Sequence, residues 1–132
     1  MSEFQDDHHC FVCGTRNPAG LKMEFHEDPL TGQVEAAVVF PLHLQGWQST
    51  VHGGLLATVL DETMIKAAAA AGHKCVTAEI TVSYKKPAST ETTYHASGKM
   101  IAVRGRLVTA ESAICDDSGQ VFARATGKLF KI

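Results

Sequence analysis

The chain lacks every mark of an unusual environment. No apolar run approaches the roughly 20 residues that cross a bilayer as a helix. The opening Met1-Ser2-Glu3-Phe4-Gln5-Asp6-Asp7 is too acidic for a secretory leader. Neither charge dominates: 12 Lys and Arg against 14 Asp and Glu leave a net −2, which gives no reason to expect nucleic acid as a partner. Internal repeats and low-complexity segments are absent as well. A chain without leader or span is expected in the cytoplasm, where its four cysteines read as thiols rather than disulfides. What remains is ordinary. With 132 residues, 45% hydrophobic and 20% charged, the chain reads as one globular domain, 1–132, long enough to bury a core without staples.

The first twenty residues have no clear period and hold two turn-like stretches, Cys10-Phe11-Val12-Cys13-Gly14 and Asn17-Pro18-Ala19-Gly20. Residues 21–26 alternate apolar and polar, and 33–40 form a second strand-like run, with Asp28-Pro29-Leu30-Thr31-Gly32 as a hairpin loop between them. Residues 42–50 are a loop holding His43, Gln45, Trp47 and Gln48. One long helix is expected over 53–71, ended by Gly72 and apolar nearly all round, so buried. After it come only strands: 76–85 with a clean period of two, then 94–103, 106–115 and 121–131. Ala96, Gly98, Ala123, Ala125 and Gly127 keep two of these strands small enough to curl tightly round a helix. The fold class is α+β, a curved antiparallel sheet wrapped around one long central helix.

Chemistry concentrates where that helix begins. The chain reads Val51-His52-Gly53-Gly54-Leu55-Leu56-Ala57-Thr58-Val59-Leu60-Asp61-Glu62. Two glycines leave the first helical N–H groups unshielded, and these groups lack intrahelical acceptors and sit at the positive end of the macrodipole. A developing oxyanion fits against them. Asp61, two turns on, is a lone carboxylate whose neighbours at three and four residues are Ala57, Thr58, Met64 and Ile65. An oxyanion site followed by a carboxylate is what attack on an activated carbonyl needs.

His52-Gly53-Gly54 with Asp61-Glu62, then Val76-Thr77-Ala78-Glu79 and Tyr84-Lys85-Lys86-Pro87, resemble the hotdog-fold acyl-CoA thioesterases of the phenylacetic-acid-pathway type. The opening Cys10-Phe11-Val12-Cys13-Gly14 with Asn17-Pro18-Ala19-Gly20-Leu21 looks like a subgroup of that family, so the resemblance covers nearly the whole chain. It implies a homodimer or homotetramer with each site between two subunits, and hydrolysis of an acyl-CoA with no metal or organic cofactor, CoA being part of the substrate. It also implies that the Gly53 N–H polarises the carbonyl and that Asp61 acts as nucleophile or general base. Thr77 matches a hydroxyl that helps hold the attacking water. Where some relatives carry a loop-fixing Asn, this chain has Gly46, which leaves that task to Gln48 or Gln45.

Other residues have plainer readings beside functional ones. His52, with no Ser or Cys partner at a recognisable spacing, reads as a residue that fixes the glycine turn together with Gly54. Glu62 and Lys66 stand in the favourable order for a helical ion pair worth a few tenths of a kcal/mol. Cys10 and Cys13, beside His8 and His9, look like half of a zinc site without a second half, so no metal is expected. Lys85, Lys86, Arg104 and Arg106 suit the phosphates of CoA but equally a solvated face. Trp47, Phe25 and Phe40 suit an acyl pocket or a core. Two rival functions share this pattern: a hydratase or dehydratase of acyl thioesters, and a non-catalytic acyl-CoA-binding module.

Overall fold

A computed structural model describes residues 4–132. The strands are β1 (His26–Glu27), β2 (Val34–Val39), β3 (Cys75–Tyr84), β4 (Thr93–Arg104), β5 (Leu107–Cys115) and β6 (Val121–Lys131); a 3-10 turn, Leu42–Leu44, and one α-helix, α1 (Gly53–Ala70), lie between β2 and β3. All six strands join one sheet in the order β1-β2-β4-β5-β6-β3, and every pairing is antiparallel. Alternation along the strands gives the sheet one wet and one dry face. In β2, Val34, Ala36 and Val38 are buried while Glu35, Ala37 and Val39 are exposed. The dry face lies on α1, and Phe40, Val59, Leu60, Met64, Val108, Ile114 and Leu129 form the centre of the core.

Close approach of helix and sheet depends on two glycines. A Cβ on Gly98 would lie 2.9 Å from Thr63 Cγ2 and 3.0 Å from the Glu111 carbonyl oxygen, and one on Gly127 would lie 2.9 Å from the tip of Met64. The contact is also polar at one point, where the buried Ser112 hydroxyl donates to the Leu60 carbonyl over 2.9 Å. Small strand residues thus do what the sequence suggests, and the sheet curls onto the helix.

Three expectations need correcting. The helix buries one stripe, Leu56, Val59, Leu60, Thr63, Met64, Ala67 and Ala68, rather than its whole circumference. Leu55, Asp61, Glu62 and Ile65 on the other side are half-exposed, because the sheet covers one side only. The strand expected over 21–26 shrinks to His26 in β1. The Leu21 and Met23 N–H groups donate instead to the Phe11 and Val12 carbonyls, so this stretch zips onto the N-terminal loop. The clean period of β3 is broken by a bulge between Thr77 and Glu79. Helix α1 ends as expected, with Gly72 at φ +93°. No helix among the described residues is long and apolar enough to cross a membrane.

The two glycines make unequal predictions. Gly98→Ala meets backbone and a buried β-branched side chain, and should destabilise by about 1–3 kcal/mol. Gly127→Ala meets only the movable end of Met64 and should cost clearly less. Urea midpoints at equal slope read the difference, and the reverse order would contradict the packing described here.

Candidate active site

His52 is the N-cap of α1, in extended conformation, and its ring Nδ1 accepts the Gly54 N–H at 3.0 Å. The Leu55 and Leu56 N–H groups donate to the His52 carbonyl at 2.9 and 3.3 Å. Of the four donors at the helix start that lack an i−4 acceptor, those of His52, Gly54 and Leu55 are occupied, the His52 N–H by the Leu44 carbonyl at 3.0 Å. The Gly53 N–H is left without an acceptor among the described residues, at the positive end of the helix dipole. His52 therefore divides the glycine pair, spending Gly54 on the cap and leaving Gly53 free. Only its Nε2 remains for any other partner.

Gly53 opens onto a cavity of about 400 Å³ lined also by Gly46, Trp47, Val51 and His52. Trp47 is 86% exposed at its mouth, whereas Phe40 is fully buried and Phe25 packs against the core, so only the tryptophan is placed to meet a ligand here. The loop before the cap is held by Gln45, whose side-chain oxygen accepts the Ser49 N–H at 2.8 Å, while Gln48 is exposed. Tyr84, at the end of β3, lies against the glycine turn. Its hydroxyl donates to the Gly53 carbonyl at 2.7 Å, and a Cβ on Gly53 would sit 3.4 Å from its ring. Tyr84 is a site residue that periodicity does not single out; its one signal is its place before Lys85-Lys86-Pro87.

Asp61 is half-buried and accepts the Thr77 hydroxyl on Oδ1 at 2.5 Å. Its helical neighbour Thr58 turns away and donates to the Gly54 carbonyl. The partner comes from β3, and the bulge explains how. Strict alternation puts Thr77 on the side opposite Ile80 and Val82. The extra residue at Ala78 lets Cys75 and Thr77 face the helix before it, and Ile80 and Val82 pack on the core after it. One strand thereby presents a hydroxyl to the site and apolar side chains to the core from the same face.

Glu62, next along the helix, makes no close ion pair with Lys66 among the described residues; its carboxylate is taken by a cysteine instead. Cys10 Sγ donates to Glu62 Oε2 at 2.8 Å, and the Lys66 charge is favoured by Cys13 as well as by Glu62. Burial, reinforced by the Glu62 carboxylate and by Cys10, pushes the Cys13 thiol up to about 11. Burial works against the Lys66 charge, yet Cys13, Glu62 and Cys10 together hold its pKa above the ordinary lysine value.

The four basic candidates separate. Lys85 and Lys86 follow Tyr84, at the Gly53 end of the sheet, whereas Arg104 and Arg106 flank the β4–β5 turn at the end where Cys75 pairs with Lys131. Nine strand steps, about 30 Å, lie between the two ends. Gly53 and Asp61 are also apart, by eight residues and thus about 12 Å of helical rise.

The sequence profile of the thioesterase superfamily matches residues 48–123, which takes in the cap, Gly53, Asp61, Thr77 and Tyr84. Acyl-coenzyme A thioesterase THEM4 of Mus musculus is 30% identical over 92 residues, 69% of this chain and 40% of that protein, so the chain spans two fifths of that relative's length. A solved thioesterase superfamily protein is 29% identical, with a TM-score of 0.87 over 93% of this chain and 63% of that one. The Escherichia coli PaaI protein from the phenylacetic acid degradation operon shares the fold, with a TM-score of 0.75 at 17% identity over 85% of this chain and 80% of that one.

His52→Ala removes the acceptor of the Gly54 N–H. It should lower stability by about 1 kcal/mol, the usual cost of a lost N-cap, with the thermal midpoint as readout. An unchanged midpoint would mean that the ring does not cap the helix in solution.

Proposed function

The chain belongs to the thioesterase superfamily, and on that premise we propose that it is an acyl-CoA thioesterase, hydrolysing the thioester to a free acid and CoA. The observation that carries this reading is the Gly53 N–H, without an acceptor among the described residues at a helix N-terminus, on the same helix as Asp61, a half-buried carboxylate oriented by the Thr77 hydroxyl. The carbonyl oxygen of the substrate rests on that N–H, where negative charge develops as the tetrahedral intermediate forms. The Thr77 hydroxyl engages Oδ1 of Asp61, fixing the carboxylate and leaving Oδ2 either to attack the carbonyl carbon or to take a proton from water. The bond that breaks is carbon–sulfur. The thiolate of CoA is a good leaving group, so no strong general acid is needed, and water is the only other reactant. The reaction uses no metal or organic cofactor.

A single chain cannot place both groups on one carbonyl, because about 12 Å of helix separates them. We therefore take the working unit to be a homodimer, alone or paired into a homotetramer, in which Asp61 of one chain serves Gly53 of the other. The outer edge of β3, ten residues long and paired among the described residues only with β6, suits such an assembly. The same arrangement lets Lys85 and Lys86 of one chain and Arg104 and Arg106 of the other reach one CoA. The mouse relative's name supports a CoA thioester as substrate. Four unpaired cysteines suit a reducing compartment, the cytoplasm.

Free-thiol release from short, medium, long and aromatic acyl-CoAs tests the reading. The wild type should turn over at least one class. Asp61→Asn should lose about a hundredfold or more in kcat while eluting at the same oligomeric size. Thr77→Val should fall between the two. Near-normal turnover by Asp61→Asn would remove the carboxylate from the chemistry, and stoichiometric binding without thiol release would favour the binding module.

A further inference from the structure

The N-terminal cysteines, half of a zinc site by sequence, acquire a third ligand when the chain folds. Cys10, Cys13 and Glu62 bring two sulfurs and a carboxylate oxygen within 4.8 Å of one another, all three half-buried. We propose that these three residues bind one zinc ion per chain, with solvent in the fourth tetrahedral position.

The turn that carries the cysteines is shaped for it. The Val12 and Cys13 N–H groups point at Cys10 Sγ, at 3.4 and 3.5 Å, and fix where the sulfur sits. The Gly14 N–H closes the loop onto the Cys10 carbonyl at 2.9 Å. A Cβ on Gly14 would lie 2.3 Å from the Cys10 nitrogen, so the turn needs glycine there. Glu62 reaches the pair from α1, 52 residues away in sequence. Two thiolates and one carboxylate around a dication leave a net charge of −1, and the Lys66 ammonium, which lines the same cavity, offsets it. Sulfur donors select zinc over magnesium or calcium, and zinc accepts a mixed sulfur–oxygen set. A cavity of about 630 Å³, lined by all three ligands, admits the ion and its solvent ligand. Because Glu62 adjoins Asp61, the ion would fasten the N-terminal segment to α1 beside the proposed carboxylate.

The test uses the full chain, stripped of metal and kept in a phosphine reductant, with cobalt(II) as a spectroscopic probe and zinc in competition. The expected result is one equivalent bound, a near-ultraviolet thiolate-to-cobalt charge-transfer band, and displacement of that band by zinc. Cys10→Ser and Cys13→Ser should lose the band. Glu62→Gln, the variant least able to disturb the fold, should keep a weakened band and bind at least about tenfold more weakly, since even supporting residues of metal sites cost that much. Zinc should raise the thermal midpoint of the wild type and leave that of Cys13→Ser unmoved. Absence of the band in folded wild type, or unchanged affinity in folded Glu62→Gln, would overturn the assignment.

Discussion

The distance between α1 and the sheet is the constraint from which the rest of the geometry follows. It is set by what is missing at Gly98 and Gly127, where any Cβ would collide with Thr63 or Met64. It is fixed by the Ser112 hydroxyl, which ties a mid-helix carbonyl to β5. With the helix held that deep, the side chain of Asp61 comes within reach of β3, and Thr77 can touch it. A helix lifted by the width of a methyl group would leave the carboxylate without its hydroxyl, although both residues would be unchanged.

The helix start is governed by a second, local constraint. A helix start has four donors to satisfy, and this one satisfies three of them, one with the Leu44 carbonyl and two with the carbonyl and ring of His52. Tyr84 then clasps the Gly53 carbonyl from β3, so the residue bearing the free N–H is held by the sheet as well as by the helix. The dipole, the cap and the clasp all act on the same few atoms. Exposure of a single donor is here the outcome of satisfying its neighbours.

Legibility in the sequence followed the range of the interaction. The cap, the glycine pair and Asp61 lie within ten residues and could be read directly, as could the helix end at Gly72 and the small residues of β4 and β6. Thr77 was visible only through family resemblance, because alternation assigns it to the wrong side and no propensity rule foretells the extra residue at Ala78. Tyr84 and the union of Cys10 with Glu62 were out of reach, being contacts across 31 and 52 residues that only the folded chain creates. The stretch over 21–25 misled for a related reason: its alternation is real, but its N–H groups found a loop instead of a strand. Glu62 shows the same competition, a weak helical pair with Lys66 giving way to Cys10, which the fold brought closer.

The strand order has a consequence for how the molecule comes together. β3 follows the helix directly in the chain, yet its only neighbour in the sheet is β6, whose register joins Cys75 to Lys131. It must therefore wait for the last strand, closing a loop of 39 residues even at its nearest pair, Tyr84 with Ala123, before any ladder bond repays the lost chain entropy. Helix, cap and the β4–β5 hairpin can form earlier from contacts closer in sequence. The hydroxyl on Asp61 and the clasp on Gly53 both ride on β3, so they arrive together and last. A nascent chain cut short before Val121 would forfeit two strands instead of one, and would carry a capped helix whose carboxylate had nothing to orient it.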